Sequence, residues 1–269
     1  MSQRRSTPAD ARPLPLAAGV AVSLAGIGAM SATALFAGPY LMAGLGFRGF
    51  LILCEAALVL PATLALDLFR PAAWRSNLGL ANPGRPTLLL CAGLGATLWV
   101  ASLGLLELQY TVWPPDPGYI EGFRQVHAML RPSGPLDALY SVVAIALVPA
   151  LCEEAAIRGV LLPSLRTQLG VLLSIGLSSL MFAFMHDAYR MPFTFAVGLA
   201  LGALRLRTGS LLPSLLAHAA LNTLTFAAAP FLDDPTGPLP DPRPLLGLLL
   251  LVAGSLASAF LWTRLPGPS

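Results

Sequence analysis

The chain has 269 residues, of which 56% are hydrophobic and only 11% are charged, and its mean hydropathy is +0.73. Soluble domains carry about 25% charged residues, so this composition excludes an ordinary soluble protein and predicts a polytopic membrane protein. All the basic charge comes from arginine, since the chain has no lysine. No basic patch alternates with aromatic residues, so nucleic acid is not an expected partner, and the partner implied first is the lipid bilayer.

Apolar runs long enough to span hydrocarbon recur along the chain, and they predict an all-α fold, a helical bundle of about eight transmembrane helices. The predicted segments are residues 14–38, 49–69, 87–106, 137–162, 169–186, 191–206, 211–229 and 244–263.

Arginine placement predicts the topology of the bundle. With the N-terminus in the cytoplasm, ten arginines fall inside, five fall outside and one lies within the membrane, which fits the positive-inside rule. Between the third and fourth segments, apolar residues at helical spacing predict a short interfacial helix, a gate or a connector over the core. They are Ile120, Phe123, Val126, Met129 and Leu130.

The fourth segment carries three charged residues where apolar residues are expected, namely Glu153, Glu154 and Arg158. Charged groups at bilayer depth cost a few kcal/mol each and are retained when they are paired, hydrated or used. On a helix Glu154 and Arg158 stand four residues apart and can form an ion pair. Glu153 is rotated by about 100° and points elsewhere, so it is left available for chemistry.

Two of the three histidines also lie in predicted spans. Phe182 and His186 share a helical face in the fifth segment, and His218 and Asn222 share one in the seventh. Because polar residues in a bilayer must find one another or water, these residues and the charged trio predict one hydrated pocket. The predicted segment bounds put His186, the glutamates and His218 at different depths, so their convergence requires tilted or shifted helices.

A pocket of this composition suits hydrolysis. A glutamate in apolar surroundings can act as general base towards water, and an imidazole can help to orient that water. An imidazole and a carboxamide on another helix can donate to a developing oxyanion. Pro149 cannot bond to the carbonyl of Ile145, so a kink is expected one turn before the glutamates.

The three motifs, Glu153-Glu154-x-x-x-Arg158, Phe182-x-x-x-His186 and His218-x-x-x-Asn222, resemble in order and spacing the signature of the CPBP/Abi family of intramembrane proteases, which includes the CAAX prenyl endopeptidases. One departure is Ile157, where the family often has an aromatic residue.

The resemblance implies an intramembrane endopeptidase that cleaves a membrane-anchored or lipidated protein near its C-terminus. It implies Glu153 as catalytic base, His186 as the residue that helps to activate water, and His218 with Asn222 as the oxyanion hole. Glu154 and Arg158 would be the pair that shapes the site, and Phe182 would contact the substrate.

The resemblance places the catalytic core at 136–229. The predicted apolar segments give the other expected domains: a cytoplasmic tail at 1–13, three helices and an interfacial loop at 14–135, and a loop with the last helix at 230–269. A bacterial inner membrane and a C-terminal processing role are the expected setting.

Four alternatives remain open from the sequence. A metalloprotease would use Glu153, His186 and His218 as zinc ligands, whereas no cofactor is the favoured expectation, because the chain has no His-Glu-x-x-His motif. A proton-coupled transporter would use the same Glu, His and Arg residues as a relay, although the chain shows no two related halves. A scaffold without catalysis and a thiol protease based on Cys152 are the others.

Overall fold

The computed structural model describes residues 13–69, 78–232 and 241–267. In this part of the chain every regular element is a helix, and no strand occurs. The helices are α1 (Leu16–Ala32), α2 (Gly38–Phe69), α3 (Arg85–Val112), α4 (Pro117–Leu130), α5 (Pro135–Leu165), α6 (Val171–Phe184), α7 (Met191–Thr208), α8 (Leu211–Leu232) and α9 (Pro244–Arg264).

The predicted all-α membrane bundle is confirmed. Each of the eight predicted segments overlaps one helix or helix arm, and α4 forms where the short helix between the third and fourth segments is predicted. Within the described ranges, five helical stretches are long and apolar enough to cross a membrane: Leu16–Phe69, Arg85–Val112, Pro135–Leu165, Leu211–Ala229 and Pro244–Arg264. The protein is therefore an integral membrane protein.

The first of these stretches is a hairpin that reverses at Gly46. Its 54 residues would extend about 80 Å as one straight helix, far beyond the ~30 Å hydrocarbon core. Gly46 has a φ of 70° and a ψ of 175°, a conformation that glycine adopts without steric cost. Gly26 packs against the backbone of Leu58, and Leu14 shares a buried cluster with Leu66, so the two arms pair in antiparallel order.

The two arms correspond to the predicted segments 14–38 and 49–69, but the loop expected between them is helical. Thr33–Ala37 is a π-helical segment that joins α1 to α2 directly, and a single glycine makes the turn.

Each π-helical segment in the described residues is followed, at the second position, by a proline. A proline lacks the N–H and clashes with the carbonyl four residues earlier, and the wider i→i+5 pattern accommodates both effects. Thus the Val148 N–H donates to the carbonyl of Val143, and the Leu162 N–H donates to that of Ile157. Thr33–Ala37 precedes Pro39, Val143–Leu147 precedes Pro149, and Ala155–Leu161 precedes Pro163.

The disturbance predicted at Pro149 therefore takes the form of a π-helical segment in a helix that continues from Pro135 to Leu165. α5 carries its glutamates between two such segments.

Where helices cross closely in the bundle, the residues in contact are small. This is usual in membranes, because helices surrounded by lipid gain no hydrophobic free energy from association and depend on close packing. A Cβ at Gly95 on α3 would lie 2.2 Å from the backbone oxygen of Ala217 on α8. Gly104 on α3 meets Gly247 on α9 in the same manner.

Arg48 fastens the α2 arm to the ends of α4 and α5. Its Nε donates to Ser141 Oγ at 2.7 Å, its Nη2 donates to the Leu130 carbonyl at 3.1 Å, and its Nη1 pairs with Asp137 at 3.2 Å.

Residues 1–12 of the predicted tail and the interfacial residues Arg70, Arg75, Asp233 and Asp234 lie outside the described residues. The sidedness of the bundle and the domain bounds stay predictions.

We expect Gly95→Ala to destabilise the protein, because its methyl group would overlap the backbone of α8, whereas Gly176→Ala on α6 enters open space. Overpacking of this kind costs about 1–3 kcal/mol. Thermal unfolding in detergent should show a lower midpoint for Gly95→Ala only. Equal midpoints for the two variants would contradict the close approach of α3 and α8.

Candidate active site

The residues of the three sequence motifs come from two helices and one helix end. α5 supplies Glu153, Glu154 and Arg158, the chain just beyond α6 supplies His186, and α8 supplies His218. Their burial is deep: Glu154 and Arg158 are 0% exposed, His218 is 4% exposed and Glu153 is 7% exposed.

Glu154 contacts two other residues of the cluster through one carboxylate oxygen. Its Oε1 accepts a hydrogen bond from Arg158 Nη1 at 2.8 Å, and the same oxygen lies 3.1 Å from His218 Nδ1. An oxygen shared with a guanidinium belongs to an ionised carboxylate, which can only accept, so Nδ1 of His218 carries the proton. Glu154 therefore holds both partners through Oε1, while its Oε2 is buried without a hydrogen-bond partner among the described residues.

Arg158 is held from three sides. Besides Glu154, its Nη2 donates to the carbonyl of Gly198 on α7 at 3.2 Å, and its guanidinium lies 4.4 Å from the ring centroid of Phe182. A buried ion pair is better tolerated when further donors find partners; Nη2 of Arg158 does, whereas its Nε has no hydrogen-bond partner among the described residues. Gly198 also lets α7 approach α6, because a Cβ there would lie 2.9 Å from Ser179 Cβ.

Phe182 connects the two histidines. Its ring meets His186 edge to face at a centroid distance of 5.0 Å and meets His218 at 5.6 Å. His186 Nδ1 lies 3.0 Å from the carbonyl of Phe182, which fixes the ring one turn beyond it. Phe182 itself is 2% exposed, so here it orients the arginine and both imidazoles; its predicted substrate contact stays a prediction.

Glu153 differs from Glu154 in its partners. Oε2 of Glu153 lies 3.6 Å from Nε2 of His218, which is longer than a hydrogen bond. The two ring nitrogens of His218 thus face the two neighbouring glutamates, with the tighter contact to Glu154.

The motifs meet although the predicted segment bounds put them at different depths. α6 has 14 residues and rises about 20 Å, less than the ~30 Å of hydrocarbon. Phe182 and His186 at its end therefore lie inside the bundle, where Phe182 contacts Arg158 and His218.

Asn222 is placed less tightly than the other motif residues. It is half-buried on α8, one turn beyond His218, and its side chain makes no hydrogen bond to a described residue. It is the motif residue that the site leaves free to bind something else.

Two residues outside the motifs also act on the site. Arg190, four residues beyond His186 and paired with Asp187, is close enough for its charge to act on Glu153 and on His186. Glu55 on α2 is also close enough for its charge to act on Glu153. Arg190 is signalled only by its nearness to His186 in sequence, whereas Glu55 stands out as a carboxylate within an apolar segment.

The arrangement does not match a metal centre in its present geometry. Within the described ranges, no three His, Cys, Asp or Glu side chains are grouped closely enough to hold a metal ion, and this includes the trio Glu153, His186 and His218.

The cysteines of the bundle are all free and buried: Cys54, Cys91 and Cys152. Cys152 lines an apolar cavity of about 220 Å³ between α2 and α5, together with Val59, Leu66 and Ala155.

Comparison with known proteins gives a family-model match that contains the motifs. Residues 135–224 match the family model described as Rce1-like, type II CAAX prenyl endopeptidase Rce1-like. The match covers about a third of the chain, from α5 into α8, and includes every motif residue named above. No curated protein and no solved structure matches the chain.

We expect Arg158→Ala to cost about 3–5 kcal/mol of unfolding free energy, because it leaves the carboxylate of Glu154 buried without its counter-ion. The matched control is Arg166→Ala, which removes an exposed arginine just beyond α5 and should change stability little. Thermal unfolding in detergent measures both. Equal stability of the two variants would contradict the central position of the Glu154–Arg158 pair.

Proposed function

We propose that the chain is an intramembrane endopeptidase with Glu153 as general base for water, in keeping with the match of residues 135–224 to the Rce1-like family model. Its substrate is a membrane-anchored or lipidated protein that is cut near its C-terminus. The family match, the membrane helices and the buried polar cluster support this function together.

The observation that carries the proposal is the unequal use of the two adjacent glutamates. Glu154 is fully buried and accepts from both Arg158 and His218, so it is a positioning residue. Glu153 keeps its carboxyl uncommitted at the edge of the same cluster. A general base needs this freedom, because it must reach the proton of a water molecule.

The reaction follows from these positions. A water oriented by Glu153 and His186 attacks the carbonyl carbon of the scissile bond while its proton passes to Glu153. The new C–O bond gives a tetrahedral intermediate with a negative oxygen. When the C–N bond breaks, Glu153 returns the proton to the leaving nitrogen, and the second product keeps the new carboxylate.

His218 and Asn222 stabilise the negative oxygen. Since Nδ1 of His218 already donates to Glu154, the atom that faces the substrate is Nε2. With Nδ1 protonated, Nε2 donates to the negative oxygen when the ring is an imidazolium, in which both ring nitrogens carry a proton. The amide of Asn222, one turn away and free of other bonds, supplies the second donor.

Catalysis without a bound metal is part of the proposal. It rests on the sequence, which has no His-Glu-x-x-His motif, and not on the positions of Glu153, His186 and His218. A zinc enzyme would require them to draw together around the ion.

The proposed cellular setting is a bacterial inner membrane and the processing of C-terminal tails or lipidated peptides. The substrate enters from the bilayer, because the cluster lies inside a helical membrane bundle.

We expect Glu153→Gln to abolish cleavage, by at least about 10²-fold, since a carboxamide cannot accept the proton of water. The assay uses the full chain in proteoliposomes with two probes, a farnesylated C-terminal peptide and a tail-anchored reporter protein. Cys152→Ala, which alters the preceding residue, is the control and should cleave normally, with or without a chelator.

Cleavage that persists in Glu153→Gln would overturn the proposed base. Inhibition by the chelator that zinc reverses would overturn the metal-free mechanism and leave the protease function standing.

We expect Asn222→Ala to lower kcat by about 10²–10³-fold without changing the thermal unfolding midpoint, because its amide makes no hydrogen bond to a described residue. His218→Ala should lower both kcat and the midpoint, since its ring bonds to Glu154. An Asn222→Ala variant with normal kcat would remove the residue from the oxyanion hole.

A further inference from the structure

We propose that Glu55 on α2 is a third carboxyl of the active site, which shares a proton with Glu153 across a bridging water and so positions the base. This inference rests on the proposed role of Glu153. It brings the N-terminal hairpin, which lies outside the family match, into the site.

The register of α2 against α5 places Glu55 beside the glutamates. Arg48 bonds to Ser141, and Val59 lines one cavity with Cys152, and in both pairs the partners are 93 residues apart. The second arm of α2 therefore runs parallel to α5 with a constant offset, which puts Glu55 level with position 148. Glu153 is five residues further along α5, about 7 Å along the helix axis.

Glu55 faces α5 rather than lipid. It precedes Val59 by four residues, so the two share one face of the helix, and Val59 lines the cavity against α5. Its Oε2 is buried and has no hydrogen-bond partner among the described residues. A buried carboxyl oxygen without a partner is unfavourable, so its retention in an apolar helix needs a reason.

The charge of Glu55 acts on Glu153 and on two neighbouring thiols. Across from it on α5 lie Cys152 and Glu153, and on its own helix lies Cys54. The closest arginine of the cluster, Arg158, is bound to Glu154.

The remaining charged groups act on Glu153 from other elements. Arg190 acts on it from the loop after α6, and His218 faces it from α8.

Two carboxyls in one buried site do not both ionise readily, and they take up one proton between them. No direct hydrogen bond joins Glu55 to Glu153 in the described part of the chain, so the proposed link between them is a bridging water. With the proton on Glu55, the carboxylate of Glu153 is ionised, hydrogen-bonded to that water and directed at the substrate. Glu55 is thus a positioning residue, and Glu153 remains the group that exchanges protons with the reactants.

The test is the pH profile of kcat/KM for Glu55→Gln in proteoliposomes, with the farnesylated C-terminal peptide as probe. The variant keeps the size of the side chain but cannot share a proton with Glu153, so the acid limb, which reports the first ionisation of the pair, should move to higher pH. Asp67→Asn, which removes an exposed carboxyl from the same helix arm, should leave the profile unchanged. An acid limb in Glu55→Gln that coincides with wild type would overturn the proposal.

A second measurement separates this proposal from the proposed function. Infrared titration of the carboxyl C=O band in the full chain reports proton sharing without any substrate. Removal of either partner, in Glu55→Gln or Glu153→Gln, should shift the titration of the band that remains. Bands that titrate independently would overturn the pairing even if cleavage depends on Glu153, whereas shifted bands without cleavage would refute the protease and retain the pair.

Discussion

The buried ion pair between Glu154 and Arg158 is the interaction on which the site depends. Both side chains are fully removed from solvent inside a membrane bundle, where an unpaired charge costs several kcal/mol. The pair persists because Gly198 gives Arg158 a carbonyl, Phe182 gives it an aromatic face, and His218 gives Glu154 a second donor. These contacts tie α5, α6, α7 and α8 together at one point.

This arrangement also explains why two adjacent glutamates can have different roles. Consecutive residues on a helix point about 100° apart, so one carboxyl turns into the ion pair and the other turns away from it. The proline-linked π-helical segments on either side of the glutamates keep α5 continuous while they alter its pitch, and such segments are common at functional sites. The different roles of the two glutamates therefore follow from the helix geometry of α5.

Much of this could be predicted from the sequence, and the rest could not. The eight apolar segments and the four-residue spacing of Glu154 and Arg158 follow from hydropathy and helical periodicity. The reversal at Gly46 did not follow, because a single glycine inside an apolar run carries no loop signal. The carbonyl of Gly198 could not be foreseen either, since a backbone acceptor has no signature in side-chain sequence. The position of the Phe182 ring between Arg158 and the two histidines could not be foreseen, because it depends on tertiary packing, and the predicted substrate contact of Phe182 stays a prediction.

The most direct test of the central claim is chemical rescue of the missing carboxylate. Glu153→Ala leaves a small space beside His218 that formate can enter, so added formate should restore cleavage in proportion to its concentration. Glu154→Ala should not recover, because it loses the anchor of Arg158 and His218 rather than a proton acceptor. Rescue of Glu154→Ala but not of Glu153→Ala would contradict the assignment of the base.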